Sequence, residues 1–154
     1  MTSDVSLKSK LQSDLNGAIK SRNTVVAETI RMVLTAITNE EVAGKEKKEL
    51  SDAEIITVLT REAKKRREAA EAFEAGGRAD RAAAERAEGE VIASYLPAQL
   101  SEAEIKNLIA ETIASVGATG PSDMGKVMGS LKAKVAGKAD GALVSSLVKE
   151  ALNK

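Results

Sequence analysis

Residues Ser122–Gly141 read SDMGKVMGSLKAKVAGKADG. Met124, Val127, Met128, Leu131 and Val135 recur at intervals of three and four, the period of an apolar stripe along one side of a helix. Gly125 and Gly129 lie off that stripe, four residues apart. A glycine inside a helix costs about 1 kcal/mol relative to alanine, so two on one side call for a cause. The direct cause is a bare helical surface that another backbone can approach. Four lysines, Lys126, Lys132, Lys134 and Lys138, belong to the same stretch.

The same periodicity extends outward from this segment. Leu7, Leu11, Leu15 and Ile19 mark a first helix, and Val26, Ile30, Val33 and Ile37 a second. Ile55, Leu59, Ala63, Ala70 and Phe73 mark a third, and Ala84, Ala87, Val91 and Tyr95 a fourth. Ile105, Ile109, Ile113 and Val116 precede the Met124 stripe; Val144, Leu147, Val148 and Ala151 follow it. No segment keeps the strict alternation of a half-buried strand. Ser51 with Glu54 and Ser101 with Glu104 have capping-box spacing, and Asp140 suits the cap of the last helix. Gly44, Gly76 and Gly117 are predicted to end helices as left-handed caps, and Pro121 suits a first helical turn.

The fold class expected is all-α, a multihelical protein in two parts. Pro97 drives Leu96 out of helical geometry and sets the boundary. Residues 1–96 form a domain of about four long, highly charged helices. Residues 97–154 form a small domain of three shorter, glycine-richer helices.

Composition narrows the chemistry. The 154 residues are 43% hydrophobic, enough for a real core, and Phe73 and Tyr95 are the whole aromatic content, so that core is aliphatic. Lysine and arginine number 23 and so do the acids, which leaves no global field to attract nucleic acid; a local patch must do it. The small half carries seven lysines against six acids from Ala98 onward, a net +1 (7 − 6). Absence of cysteine and histidine removes thiol nucleophiles, disulfides, the usual zinc sites and the common general base. No cofactor and no metal are expected. The opening MTSDVSLKSKL lacks the apolar core of a leader, and no apolar run approaches the ~20 residues that span a bilayer. The reading is a soluble cytoplasmic protein.

Three motifs compete for a function. Gly120 to Lys126 has the GxxxxGK spacing of a phosphate-binding loop, but Val127 stands where serine or threonine would bind magnesium, and no strand precedes it. The run Arg61–Arg67, REAKKRR, looks like a nucleic-acid patch. On a helix, however, Arg66 falls among Leu59, Ala63 and Ala70, so it needs an acidic partner. A hairpin across Gly76-Gly77 places Glu88 opposite it, leaving the rest of the run as a solvated face. The acids Glu40, Glu41, Glu46 and Glu49 read as surface charge, and no catalytic constellation is visible.

The third motif is the glycine–lysine face, where Gly125, Gly129 and Lys132 cluster with Lys126 beside them. It suits close approach of a phosphodiester backbone, with lysines as point charges. It equally suits tight helix–helix packing with solvated lysines, which on the residues alone is the simpler account.

Several ordered motifs carry a resemblance: Arg31-Met32 with Asn39-Glu40, Arg66-Arg67, Tyr95-Leu96-Pro97-Ala98-Gln99-Leu100-Ser101-Glu102, Asp123-Met124-Gly125-Lys126-Val127-Met128, and Gly137-Lys138-Ala139-Asp140-Gly141. Together they resemble the GatB/YqeY family over nearly the whole chain, with Lys138 where that family often has arginine. The resemblance implies an all-helical, two-part fold whose C-terminal part is similar to the tail domain of the B subunit of glutamine-dependent tRNA amidotransferase, a tRNA-contacting appendage. It also implies a carbon–nitrogen ligase label, with glutamine as amido donor, that no residue set in this chain supports. With the resemblance added, the reading becomes a non-catalytic module that binds tRNA or accompanies a tRNA enzyme. Gly125 and Gly129 would admit the RNA backbone; Lys126, Lys132, Lys134 and Lys138 would meet phosphates. The alternatives are an amidotransferase component active only in complex, and a protein-interaction module docking through its N-terminal helices.

Overall fold

Short-range hydrogen bonding by side chains caps the start of five of the seven described α-helices. The computed structural model describes residues 6–153, so the opening MTSDV lies outside the described residues, as does Lys154. Ser6 accepts from the Ser9 N–H and starts α1 (Leu7–Lys20); Asn23 accepts from the Val26 N–H and starts α2 (Thr24–Glu41). Ser51 starts α3 (Asp52–Ala75), where the Glu54 N–H donates to Ser51 Oγ and the Ser51 N–H to Glu54 Oε1, at 3.2 and 3.1 Å. The same reciprocal pair between Ser101 and Glu104 starts α5 (Glu102–Val116). Helix α4 spans Ala79–Ala93, a 3₁₀ turn at Pro121–Asp123 leads into α6 (Met124–Val135), and Asp140 caps α7 (Gly141–Leu152). Helices α4 and α6 begin without a side-chain cap. All described secondary structure is helical.

The chain forms two compact units that divide between Leu96 and Pro97. In the first, α2 packs against α1, α3 and α4, and α3 and α4 form a hairpin. Its core is aliphatic: Leu11, Ile30, Val33, Ile37, Leu50, Ile55, Val58, Leu59 and Ile92. Tyr95 packs on this cluster, donates its hydroxyl proton to Asp14 Oδ2 at 2.6 Å, and lies beneath the Lys10 ammonium. Burial and the neighbouring Asp14 push the phenol well above its ordinary range. In the second unit α5, α6 and α7 enclose Ile105, Ile109, Val127, Leu131, Val135, Val144, Leu147 and Val148.

Several local expectations are corrected. Ile19 is 46% exposed and Ala18 is buried instead. A strict four-residue repeat drifts by about 40° per step on a helix of 3.6 residues per turn, so by Ile19 the stripe has rotated off the core that Leu11 enters. Ala84 is likewise exposed; α4 buries Ala82 and Ile92. Gly76 ends α3 at φ −84, and its neighbour Gly77 takes the left-handed conformation, at φ 77. Gly44 is not left-handed, whereas Gly117 is, at φ 69.

Glu41 is not surface charge. It is buried, receives Lys8 Nζ at 2.9 Å and accepts from the Leu50 N–H at 3.2 Å, which pins the loop between α2 and α3. The Lys8 bond first, and the Leu50 bond second, hold its carboxyl below the usual carboxylate range.

The α1–α2 turn contains Arg22 at φ 59. A left-handed non-glycine residue costs about 1–2 kcal/mol.

Candidate nucleic-acid interface

Helix α6 is seated by its apolar side. Val127, Leu131 and Val135 are buried, and Met124 and Met128 pack against them at the rim. The lead-in is closed by Asp123, whose Oδ2 accepts from the Thr119 N–H at 2.9 Å. That bond, with smaller help from the Gly120 N–H and the Lys126 charge, holds the Asp123 carboxyl below its ordinary value.

The opposite side of α6 is bare. Gly125 and Gly129 are exposed, and among the described residues a Cβ added at either would meet no atom within 4 Å. Among the described residues, neither α5 nor α7 of the same unit presses on them. Ala133, one further turn along, is also exposed and extends the strip, a continuation the sequence signalled only by its spacing from Gly129.

All four lysines of this stretch are exposed, and none forms an ion pair among the described residues. At about 100° per residue, Lys132 lies roughly 20° to one side of Gly125 and Lys126 roughly 100° to the other, so these two flank the strip. Lys134 projects roughly 140° from Gly129, toward the seam with the apolar side, and shares the ridge's end rather than its face. From Met124 to Ala139 there is no acid to offset them.

Lys138 sits in the loop after α6, and that loop is held from a distance. The Gln99 amide donates to the carbonyl oxygens of Pro97 and Gly137, both at 2.8 Å, and the Leu100 N–H donates to the Lys138 carbonyl at 2.9 Å. Gly137 is left-handed at φ 72, which lets the chain turn there. The segment Pro97–Leu100 and the loop Gly137–Asp140 are thus one structural feature. Gln99 was not foreseen as part of it. Asp140 closes the loop by accepting from the Ala142 N–H at 3.3 Å.

The GxxxxGK stretch makes no phosphate cradle. Gly120 is extended at φ −170, Pro121–Asp123 is a 3₁₀ turn, and Val127 is fully buried where magnesium chemistry would need a hydroxyl. No strand precedes it among the described residues.

Apart from Arg66, the basic run of α3 is a largely exposed face, and several of its charges are paired. Arg61 reaches Glu40 at 3.3 Å, and Lys65 reaches the buried Glu62 at 3.1 Å. Arg66 Nη1 lies 3.2 Å from Glu85 Oε2 and 3.5 Å from Glu88 Oε2. One guanidinium therefore serves two carboxylates, and Glu85, the nearer, escaped the sequence reading. Arg66 Nε is buried without a partner. Burial first, then the charge of Glu85, raises the Glu88 carboxyl above its ordinary value against the pull of Arg66.

Among the described residues no group of three or more acids, histidines or cysteines could hold a metal ion, and no helix is long and apolar enough to cross a membrane. The profile of the family described as Yqey-like protein matches residues 8–152. A search of curated proteins finds no match.

Proposed function

The chain belongs to the YqeY-like family, and from that premise we propose that it is a non-catalytic RNA-binding module, its ligand a tRNA, free or in the hands of a tRNA enzyme. One observation carries this reading: the glycine strip of α6 is open, with nothing among the described residues within 4 Å of where side chains would begin. A helix accepts the cost of two interior glycines where something must come close to its backbone. A sugar–phosphate chain fits that need, with Lys126 and Lys132 on either side of the strip and Lys134 and Lys138 beyond it. The resemblance of this part to a tRNA-contacting tail domain points the same way.

Base stacking is not the expected mode. Tyr95 is engaged with Asp14 and Lys10, Phe73 lies beneath Arg81, and α6 has no aromatic residue. Recognition by shape and backbone follows. Affinity falls with salt, with a log–log slope of about −0.7 to −0.9 for each phosphate engaged.

Filter binding of unfractionated tRNA at two salt concentrations tests the reading. Lys126→Glu with Lys132→Glu is expected to weaken binding by more than roughly tenfold and to flatten the salt slope. Equal binding by wild type and variant rejects the ridge as the RNA site. The same ridge serves whether the chain acts alone or beside amidotransferase subunits; co-purification with a catalytic subunit separates the two.

A further inference from the structure

The N-terminal unit has a surface of its own, at the elbow where α1 turns into α2. Ile19 and Val25, two of the large apolar side chains left exposed, stand on either side of the turn. Ile19, but not Val25, lines a groove of about 360 Å³ backed by the buried Ala18 and Ala27. Arg22 and Arg31 also line this groove, with Glu28 as its acid. Neither arginine forms an ion pair among the described residues. With Lys20 exposed at the end of α1, the elbow holds three cations against one acid.

Arg22 adds a second observation. It is the one non-glycine residue with positive φ among those described. Glycine fits that conformation freely, and asparagine tolerates it better than most side chains. An arginine there accepts backbone strain and keeps a guanidinium at the groove.

We propose that the elbow is the docking site for an acidic peptide segment of a partner protein. The segment places one large apolar side chain against Ile19 and sets flanking carboxylates on Arg22 and Arg31. Guanidinium groups pair with carboxylates through two parallel hydrogen bonds, which gives the contact its register. An RNA would satisfy the charge and leave Ile19 and Val25 uncovered. A lipid surface would cover the two side chains and leave the groove unfilled. An acidic, apolar peptide meets both needs. This proposal is independent of the RNA reading of α6.

Fluorescence anisotropy on the full chain tests it with three pools of short labelled peptides. The first is rich in Asp and Glu around a central Leu, Ile, Phe or Met; the second replaces the acids by Lys; the third keeps the acids and drops the apolar residue. The first pool is expected to bind at least roughly tenfold more tightly than either other. Arg22→Glu with Arg31→Glu should reverse the preference toward the lysine pool, and Ile19→Ser should weaken the first pool without altering its salt dependence. Arg22→Gly separates binding from folding: it relaxes the turn and raises Tm, yet weakens the first pool. The proposal is overturned if the acidic pool does not outbind its lysine twin, or if the charge-reversed variant keeps the acidic preference. It is equally overturned if tRNA or phosphatidylserine vesicles, rather than the peptides, are what that variant loses.

Discussion

The side-chain amide of Gln99 donates to the carbonyl oxygen of Gly137 at 2.8 Å, joining the segment after Pro97 to the loop that carries Lys138. The bond spans 38 residues of sequence and links two of the motifs on which the family resemblance rests. Gln99→Met keeps the side chain's length and removes both donated bonds. The expected cost is about 1 kcal/mol in stability. Hydrogen exchange at the Leu100 amide should accelerate, because its bond to the Lys138 carbonyl depends on the same clamp. The salt slope for RNA should fall by up to about one phosphate contact, matching Lys138→Ala, with no further loss in the double variant. Unchanged exchange at Leu100 would reject the clamp; unchanged exchange combined with a changed slope would place the effect elsewhere.

Gly125→Ala and Gly129→Ala ought to stabilise the protein. Neither glycine has positive φ, and neither Cβ would meet an atom of the described residues within 4 Å. Each substitution should add about 0.5–1 kcal/mol by lowering the backbone entropy lost on helix formation. Larger residues at the same positions should fold as well and bind RNA progressively less. Thermal unfolding and filter binding of the same variants check both halves, and a fall in Tm for either alanine variant contradicts the open ridge.

Arg66 serves both Glu85 and Glu88, and Glu88 titrates above its ordinary value. A carboxyl whose folded pKa is raised contributes fully below its unfolded pKa, and that contribution is lost as pH rises through the folded value. Glu88→Gln should therefore raise stability at neutral pH, by no more than about 1 kcal/mol for so partly exposed a group, with a matching rise in Tm, and change little in acid. Arg66→Met should do the reverse, leaving two acids face to face at neutral pH. Calorimetry across this range decides the matter, and a lower Tm for Glu88→Gln at neutral pH contradicts the assignment.

The Glu54 carboxyl works with the opposite sign. The Lys48 ammonium first, then the Ser51 backbone and hydroxyl, push it down to about 2 from an ordinary 4.5. Its contribution is present above 4.5 and fades as pH falls toward about 2. Glu54→Gln should lower Tm at neutral pH and converge with wild type at the acid end of that window. Because Lys48 and Glu54 are both exposed, added salt should narrow the gap even at neutral pH. A gap that widens in acid would assign the effect to another group.

Much of the architecture was legible because it is locally encoded. Capping boxes at Ser51 and Ser101 need only residues three apart, and the apolar period of α2, α6 and α7 is visible in a single window. Errors arose where a second element decides the outcome. Ile19 lost its place to Ala18 because the core fixes which side of α1 is used. Glu85 joined Glu88 because the register of the α3–α4 hairpin sets which turn faces Arg66. The clamping role of Gln99 went unread because its partners are a carbonyl two residues away and another across the unit.

The composition of the α6 ridge follows from residue order alone, since a helix of known period projects each side chain in a calculable direction. So do the absence of cysteine and histidine chemistry and the aliphatic character of both cores. Whether that ridge is bare was a tertiary matter. Burying Val127, Leu131 and Val135 between α5 and α7 turned Gly125 and Gly129 away from the other helices of their unit. A glycine strip packs or lies open according to which neighbours reach it, and neighbours are chosen by the whole core rather than by the strip.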